Sequence, residues 1–417
     1  LLSHILYMKY LLCCLLSFCS VAFAANPLKP VHALLKAGRP LDALNAAKRL
    51  MADSALRDNP KLYVLGMDAA VAANSVENEK IYLHKAYDTL SFFQTAYDFF
   101  NCARRYDALT QKSNNKKLSR LLHEFYPNLL AGGLFMYEHK QYAEAIKLLQ
   151  MADDVLDLPL WLQLSPNLPR QQRELIRNIL VRSAFQEKKY DLVLHFTADS
   201  IQNTAYHQMA IEYRARTNAA LGEIKAYVKD LQAGISDAGH HPYFFTHLFD
   251  HYLQHNQADA ALRLSDSLLS VYPLQSQNRS APSTAADSAF YLTLLSAKAL
   301  AQINLHAYKD AIETCKAYRA IDSINVDIDF YFGTAYSNAA AAVDLPTSIN
   351  SAAYKSAQAE RRKLYAKAVP YLERYRKARP NEAKSWGPLL YNAYLSLNQG
   401  KKFAEVEQLL KAKLFSR

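Results

Sequence analysis

Glycine is scarce in this chain, with 10 residues among 417, against a usual share of about 7%. Tight hairpins, β-bulges and phosphate-cradling loops draw on glycine because it reaches positive φ without a steric penalty. A β-sandwich, a β-barrel and a dinucleotide-binding α/β fold are therefore disfavoured from the outset. Cysteine is also scarce. Of the five, Cys13, Cys14 and Cys19 crowd the N-terminus, leaving only Cys102 and Cys315 in the rest of the chain. That excludes a disulfide-stapled scaffold, and no CxxC or Cys/His zinc spacing occurs. Tryptophan is limited to Trp161 and Trp386. The apolar run Tyr10–Val21 is a dozen residues long, short of the ~20 needed to span a bilayer. The sequence has no GxSxG, P-loop, GxGxxG or EF-hand loop, so the common nucleophile, nucleotide and calcium signatures are missing.

What is present is apolar, aromatic and basic. Hydrophobic residues make up 51% of the chain, with 28 tyrosines, and the net charge is +11. This composition marks a folded, helix-rich protein rather than a disordered one. At the N-terminus, Met8-Lys9, the apolar run and Ala22-Phe23-Ala24 have the layout of a signal peptide. Residues 1–24 are expected to be that address, with Leu1–Tyr7 upstream of the natural start and Ala25 the mature N-terminus. Phe18 before Cys19 argues against a lipoprotein box. The expected location is periplasmic or extracellular, with any outer-membrane association through a partner.

Internal periodicity carries the architecture. From Leu129, apolar or small residues recur at Gly132, Gly133 and Met136 on one helical face. A short polar turn and Tyr142 follow, then a second face of Ala145, Leu149 and Ala152. Two amphipathic helices joined by so few residues pack antiparallel, and small residues at Gly133 and Ala145 let their backbones approach. The pattern recurs in Phe245, Leu248, Tyr252, Ala261, Leu268 and Pro273, and in Ala299, Tyr308, Ala311, Cys315 and Tyr318. It recurs again in Phe332, Gly333 and Tyr336, whose second helix arrives late at Ala368, Leu372, Tyr375 and Pro380, with Trp386 opening the next copy.

This 34-residue register resembles the tetratricopeptide repeat (TPR). The resemblance implies an all-α fold, a right-handed superhelix (α-solenoid) of about nine TPR-like helical hairpins, and no catalytic role. Residues 25–128 are expected to hold degenerate hairpins, least regular over 66–127, and 129–273 a TPR array. A polar loop is expected at 274–288 and a second array over 289–417. That second array is expected to carry an inserted or extended basic helix near 344–365. Leu158–Arg170, with three prolines, reads as a loop. Gly66, Gly133 and Gly333 match the small position of the first helix, and Gly222 and Gly400 are expected in hairpin turns.

The resemblance further implies that the first helix of each hairpin lines a concave, protein-binding surface. Its groove positions carry over to Asn178, Arg182, Tyr213 and Arg216, to Tyr243, His247 and Asp250, to Tyr331 and Asn338, and to Lys384, Tyr391 and Tyr394. Tyrosine and arginine are the residue types enriched at binding hot spots. The lysine/asparagine clamp that some TPR domains use on a terminal carboxylate is not evident.

Two further clusters stand out. His247, His251 and His255 share a helical face at i, i+4, i+8, a spacing able to ligate a metal, although no HExxH supplies a general base and a polar helix face is the plainer reading. Between Lys355 and Arg379, nine Lys/Arg stand against two Glu. Arg361, Arg362, Lys363, Lys367, Arg374, Arg376, Lys377 and Arg379 form this basic patch, suited to an anionic envelope component, and export argues against nucleic acid. No cofactor is expected. The partner is expected to be a protein: an extended peptide, a helix or a folded surface. The alternatives are a SusD-like binder of glycans or envelope polymers, against which only Trp161 and Trp386 are available for sugar stacking, and a helical metal-dependent hydrolase. Asn278-Arg279-Ser280 is an N-glycosylation sequon. Six Asp-Ser/Thr-apolar triplets, at Asp53, Asp88, Asp199, Asp266, Asp287 and Asp322, resemble an O-glycosylation motif of exported bacterial proteins.

Overall fold

The computed structural model describes residues 26–111, 115–166, 170–198, 205–238, 242–271 and 285–414. The expected signal peptide, the sequon, Pro273 and Asp199 lie outside them. The described residues contain 19 helices and no strand. The chain divides into two compact units, residues 1–223 and 224–417.

Unit 1 contains α1 (Lys29–Lys36), α2 (Pro40–Met51), α3 (Pro60–Tyr82), α4 (Thr89–Thr110) and α5 (Lys116–Glu138). It continues with α6 (Tyr142–Val155), the one-turn α7 (Pro159–Leu162), α8 (Arg170–Gln186), α9 (Tyr190–Ala198) and α10 (Ala205–Leu221). The pairs α1/α2, α3/α4, α5/α6 and α8/α9 are hairpins. Each first (A) helix packs on its own second (B) helix, and each B helix packs on the next A helix. Unit 2 opens with α11 (Ile224–Ala238). It continues with hairpins α12 (Pro242–Gln254)/α13 (Ala258–Val271), α14 (Ala285–Asn304)/α15 (Tyr308–Ile321), α16 (Asp327–Ala341)/α17 (Ala352–Ala378) and α18 (Ala383–Ser396)/α19 (Gly400–Leu414). The same A–B–A contact order holds there. Each unit is thus an all-α, TPR-like helical solenoid.

The repeat is most regular at its turns. A left-handed residue stands two positions before the next helix at Gly38, Lys140, Lys188, Gly222, Asn256, His306 and Asn398. At all seven, the following N–H donates back to the carbonyl five residues earlier, for example Gln141 to Met136, Lys189 to Ala184 and Ala307 to Gln302. This is the Schellman closure, which satisfies the orphan carbonyls of the ending helix. Glycine fills the strained position only at Gly38 and Gly222. Gly400 is not a turn residue; it is the first residue of α19, and Asn398 carries the positive φ.

The scarce glycines elsewhere mark close helix approach. A Cβ on Gly133 would lie 2.6 Å from Leu149 Cδ2, and one on Gly333 would lie 2.4 Å from Leu372 Cδ2. Both contacts join the A and B helices of one hairpin. One expectation fails in the proline-rich stretch after α6. Leu158–Arg170 contains α7, with Pro159 at the helix start where no N–H is needed. Its Leu160 and Trp161 are buried under α5. The late second helix after Gly333 is α17, 27 residues long, capped by Ser351.

Candidate functional site

Two consecutive A helices of unit 1 bring the first four groove residues together. Asn178 and Arg182 lie one turn apart on α8, so the Asn178 side-chain oxygen accepts from Arg182 Nε at 2.7 Å. On α10, Tyr213 and Arg216 share a face three residues apart. The Arg182 and Arg216 guanidinium carbons each lie 5.7 Å from the Tyr213 ring centroid, within cation–π range. Arg216 also pairs with Glu212 one turn back. Burial pushes the Tyr213 hydroxyl pKa upward, while Arg182 and Arg216 oppose that shift. The Phe185 ring meets Tyr213 edge-on at 5.3 Å.

Phe185 and nearby Tyr137 were missed by the groove register. Both stand three residues before the left-handed turn residue, Lys188 and Lys140 respectively. An aromatic in the last turn of an A helix was the available signal. The assembled surface has two arginines around one half-buried phenol, flanked by further rings. It suits a partner carrying carboxylates next to an apolar or aromatic side chain.

The groove residues of unit 2 are more dispersed. Tyr243 and His247 lie together on α12, their rings 4.3 Å apart. Asp250, on the same helix, adds to the upward pKa shift of Tyr331 on α16, after burial and alongside Asp327 and Cys315. Asn338 is half-buried on α16, and Lys384 is exposed on α18. Tyr391 packs its ring 4.6 Å from Phe403. Tyr394 is fully buried and donates to Glu373, so it belongs to the core and not to a groove.

The histidine face does not assemble a metal centre. His255 Nδ1 lies 2.8 Å from the backbone oxygen of His251, a contact within its own helix, and the two rings lie 4.1 Å apart. No group of three metal-ligating side chains converges among the described residues. The basic patch is partly consumed by ion pairs. Arg374 binds Asp329, Arg376 binds Glu405, and Arg379 lies 3.1 Å from Asp327. Arg361 is half-buried beside Tyr365. Arg362, Lys363, Lys367 and Lys377 stay exposed, with Lys363 3.8 Å from Glu360. Both tryptophans are buried, Trp161 stacked on His123 and Trp386 beneath Arg376. Neither offers a face to a sugar. Cys102 and Cys315 are buried free thiols, each pushed up to about 12 by burial.

No helix among the described residues is long and apolar enough to cross a membrane. No family model matches the chain, and no curated protein matches it. Among solved structures, it is similar to the TPR domain of P58(IPK), at 14% identity over 95% of this chain and 100% of that one, with a TM-score of 0.27. It is also similar to the TPR2AB domain of yeast Sti1 in its pHSP90 complex, at 15% identity, 65% and 99% coverage, and a TM-score of 0.22. A circular tandem repeat protein matches at 10% identity, 93% and 87% coverage, with a TM-score of 0.24. Scores this low carry no argument about fold or function. The TPR-like assignment rests on this chain's own hairpins and turns.

Proposed function

We propose that this chain is a helical-repeat scaffold that binds another protein through the A-helix face of unit 1 and performs no catalysis. The observation that carries this reading is the Arg182–Tyr213–Arg216 cluster, built by consecutive A helices at one repeat register. A single hairpin cannot bury its apolar face alone, so stacked hairpins present a row of side chains that a partner segment can read. The 1–24 pattern supports export, which puts the partner in the cell envelope or outside the cell. The exposed cations of α17 add a surface for an anionic envelope component.

The test is crosslinked capture from envelope extract, using the full chain and the Arg182→Ala/Arg216→Ala double variant. Substitution of hot-spot arginines costs at least ~2 kcal/mol each, so the double variant is expected to lose its specific partner. A partner retained at wild-type yield by a folded double variant overturns the A-face assignment. Turnover of a small substrate by the purified chain overturns the scaffold reading itself.

A further inference from the structure

Unit 2 contains a cavity that the scaffold reading does not use. Helix α12 packs on both α11 and α13, and the gap over it between these two helices encloses about 390 Å³. Its apolar wall is Ile235 from α11, Leu248 from α12, and Ala260 and Leu264 from α13, with Leu248 only 2% exposed. Tyr252 stands one turn after Leu248 and lines the same gap, and its hydroxyl accepts from Gln232 Nε2 at 3.4 Å. The phenol proton is thereby left for another acceptor. Arg263, three residues after Ala260, is the one charged residue in the wall. It is exposed and makes no ion pair or hydrogen bond among the described residues. Asp259, one turn earlier on α13, is not paired with it, and Asp266 is held by Lys298 at 2.7 Å. Asp250 of α12 acts on Tyr227 and Tyr331 instead, and Asp230 of α11 is buried with a partner of its own. Exposed Lys229, one turn before Gln232 on α11, adds positive charge just outside the wall.

We propose that this cavity binds an apolar carboxylate, the group shared by a short free carboxylic acid and by an apolar residue at the end of a peptide chain. Small-molecule sites combine an apolar lining with a few placed polar groups, and this wall does the same. The ligand's hydrocarbon body packs against Ile235, Leu248, Ala260 and Leu264. Its carboxylate meets the Arg263 guanidinium through two parallel N–H···O bonds and accepts the free proton of Tyr252. One uncompensated cation in the wall matches a monoanion. A phosphate dianion would bring a second charge that no group in the wall meets. A neutral ligand would leave the Arg263 and Tyr252 donors to water and gain only from apolar contact. The site uses none of the A-face residues of unit 1 and does not rest on that cluster.

The probes are hexanoate and N-acetyl-leucine, with hexanamide and N-acetyl-leucinamide as their neutral counterparts, titrated against the full chain by ligand-observed NMR. Both carboxylates are expected to bind saturably and about 10-fold or more tighter than their amides, the scale of a hydrogen bond to a charged group. Arg263→Gln should erase that difference by weakening the carboxylates alone. Tyr252→Phe should weaken them roughly 3-fold. Ser236→Phe, from the exposed α11 side of the wall, should fill the cavity and abolish binding of all four. Arg263 and Ser236 are both exposed, so these variants leave the core untouched, and a thermal melt checks the fold. Arg182→Ala/Arg216→Ala should leave every affinity unchanged. Tighter binding of N-acetyl-leucine supports the site with a chain end as the source, and tighter binding of hexanoate supports it with a free acid. Absence of saturable binding by either carboxylate, amides that bind as tightly as their acids, or affinities indifferent to Arg263→Gln and Ser236→Phe overturns the proposal.

Discussion

Unit 1 and unit 2 solve the same packing problem differently. In unit 1 one apolar cluster runs from Leu28 through the hairpins to Ala210. In unit 2 the apolar contacts fall into separate clusters, one around Phe332 on α14–α16 and another around Trp386 on α17–α19. Asp329, 1% exposed, lies at the junction of these two clusters. It accepts from Arg319 on α15 at 2.6 Å and from Arg374 on α17 at 2.6 and 3.1 Å. Unit 1 has a parallel node: Asp153 on α6, 7% exposed, faces Arg173 and Arg177 on α8. There the node reinforces a junction that apolar packing already covers. In unit 2 it joins α15, α16 and α17 across the boundary of the two clusters. At both nodes directed ion pairs add register to the packing of successive helices.

The comparison breaks most sharply at the two aspartates. Removing one partner of a buried ion pair costs about 3–5 kcal/mol, because the remaining charge is left uncompensated. Asp329→Ala is expected at the lower end of that range: Arg319 and Arg374 both lose their one paired carboxylate among the described residues, and half-exposed Arg374 is partly compensated by water. Asp153→Ala should cost less, about 2 kcal/mol, in the range for lost charged hydrogen bonds, because Arg173 already reaches Asp157 at 2.8 Å and only Arg177 loses its one paired carboxylate among the described residues. The two tryptophans make this measurable unit by unit. Trp161 reports unit 1 and Trp386 reports unit 2, so urea titrations of Trp161→Phe and Trp386→Phe backgrounds separate them. Equal losses in both units would sink the comparison.

The next effect concerns helix approach. Gly133→Ala and Gly333→Ala place a methyl against Leu149 and Leu372 at distances no Cβ normally shows. Overpacking of this kind costs about 1–3 kcal/mol. The leucine ends can rotate, so the lower part of the range is expected. Gly333 should be the more sensitive, because its unit has the less continuous core. The same single-tryptophan titrations check the order.

A gain is expected at the turns. Lys140, Lys188 and His306 hold left-handed backbone with a Cβ present, at a cost of roughly 1–2 kcal/mol each relative to an unstrained residue. Replacing each by glycine relieves that strain but adds about 0.5–1 kcal/mol of chain entropy. The net expectation is a stabilisation of a few tenths to about 1 kcal/mol per site. A thermal melt showing destabilisation at all three turns would mean that these side chains make a contribution the turn geometry does not explain.

The hairpins were legible because burial enforces them. Gly133, Ala145, Leu149, Phe332, Leu372 and Trp386 sit at packed positions, and periodicity reports packed positions. The turns were less legible, since a lysine or histidine at positive φ carries no composition signal and only its fixed distance from the next helix betrays it. Residues 66–127 departed from the register for a physical reason. Helices α3 and α4 are 23 and 22 residues long and are joined by the longer connection 83–88 instead of the short turn. The Arg182–Tyr213–Arg216 cluster was half legible: the register placed all four groove residues on A helices, but not the cation–π geometry that unites them. The basic patch was least legible. Charge can be counted in a sequence, but the carboxylates that neutralise Arg374, Arg376 and Arg379 come from other helices.

The smallest difference between the units is in acid. His251 on α12 has its pKa lowered, first by burial and then by the neighbouring His255. Tyr227 of α11 also faces it, ring to ring at 6.5 Å. The folded state therefore resists a proton that the unfolded chain accepts near 6.5. Stability from this group is complete above the unfolded value, declines as pH falls through it towards the folded value, and stays low once both states are protonated. The urea midpoint of unit 2, read from Trp386 in the Trp161→Phe background, should drop slightly between about pH 7.5 and 5.5. His251→Gln should remove that histidine-specific part, while the unit 1 midpoint read from Trp161 should not respond to the substitution. An unchanged slope in His251→Gln would assign the acid sensitivity of unit 2 to groups other than this histidine.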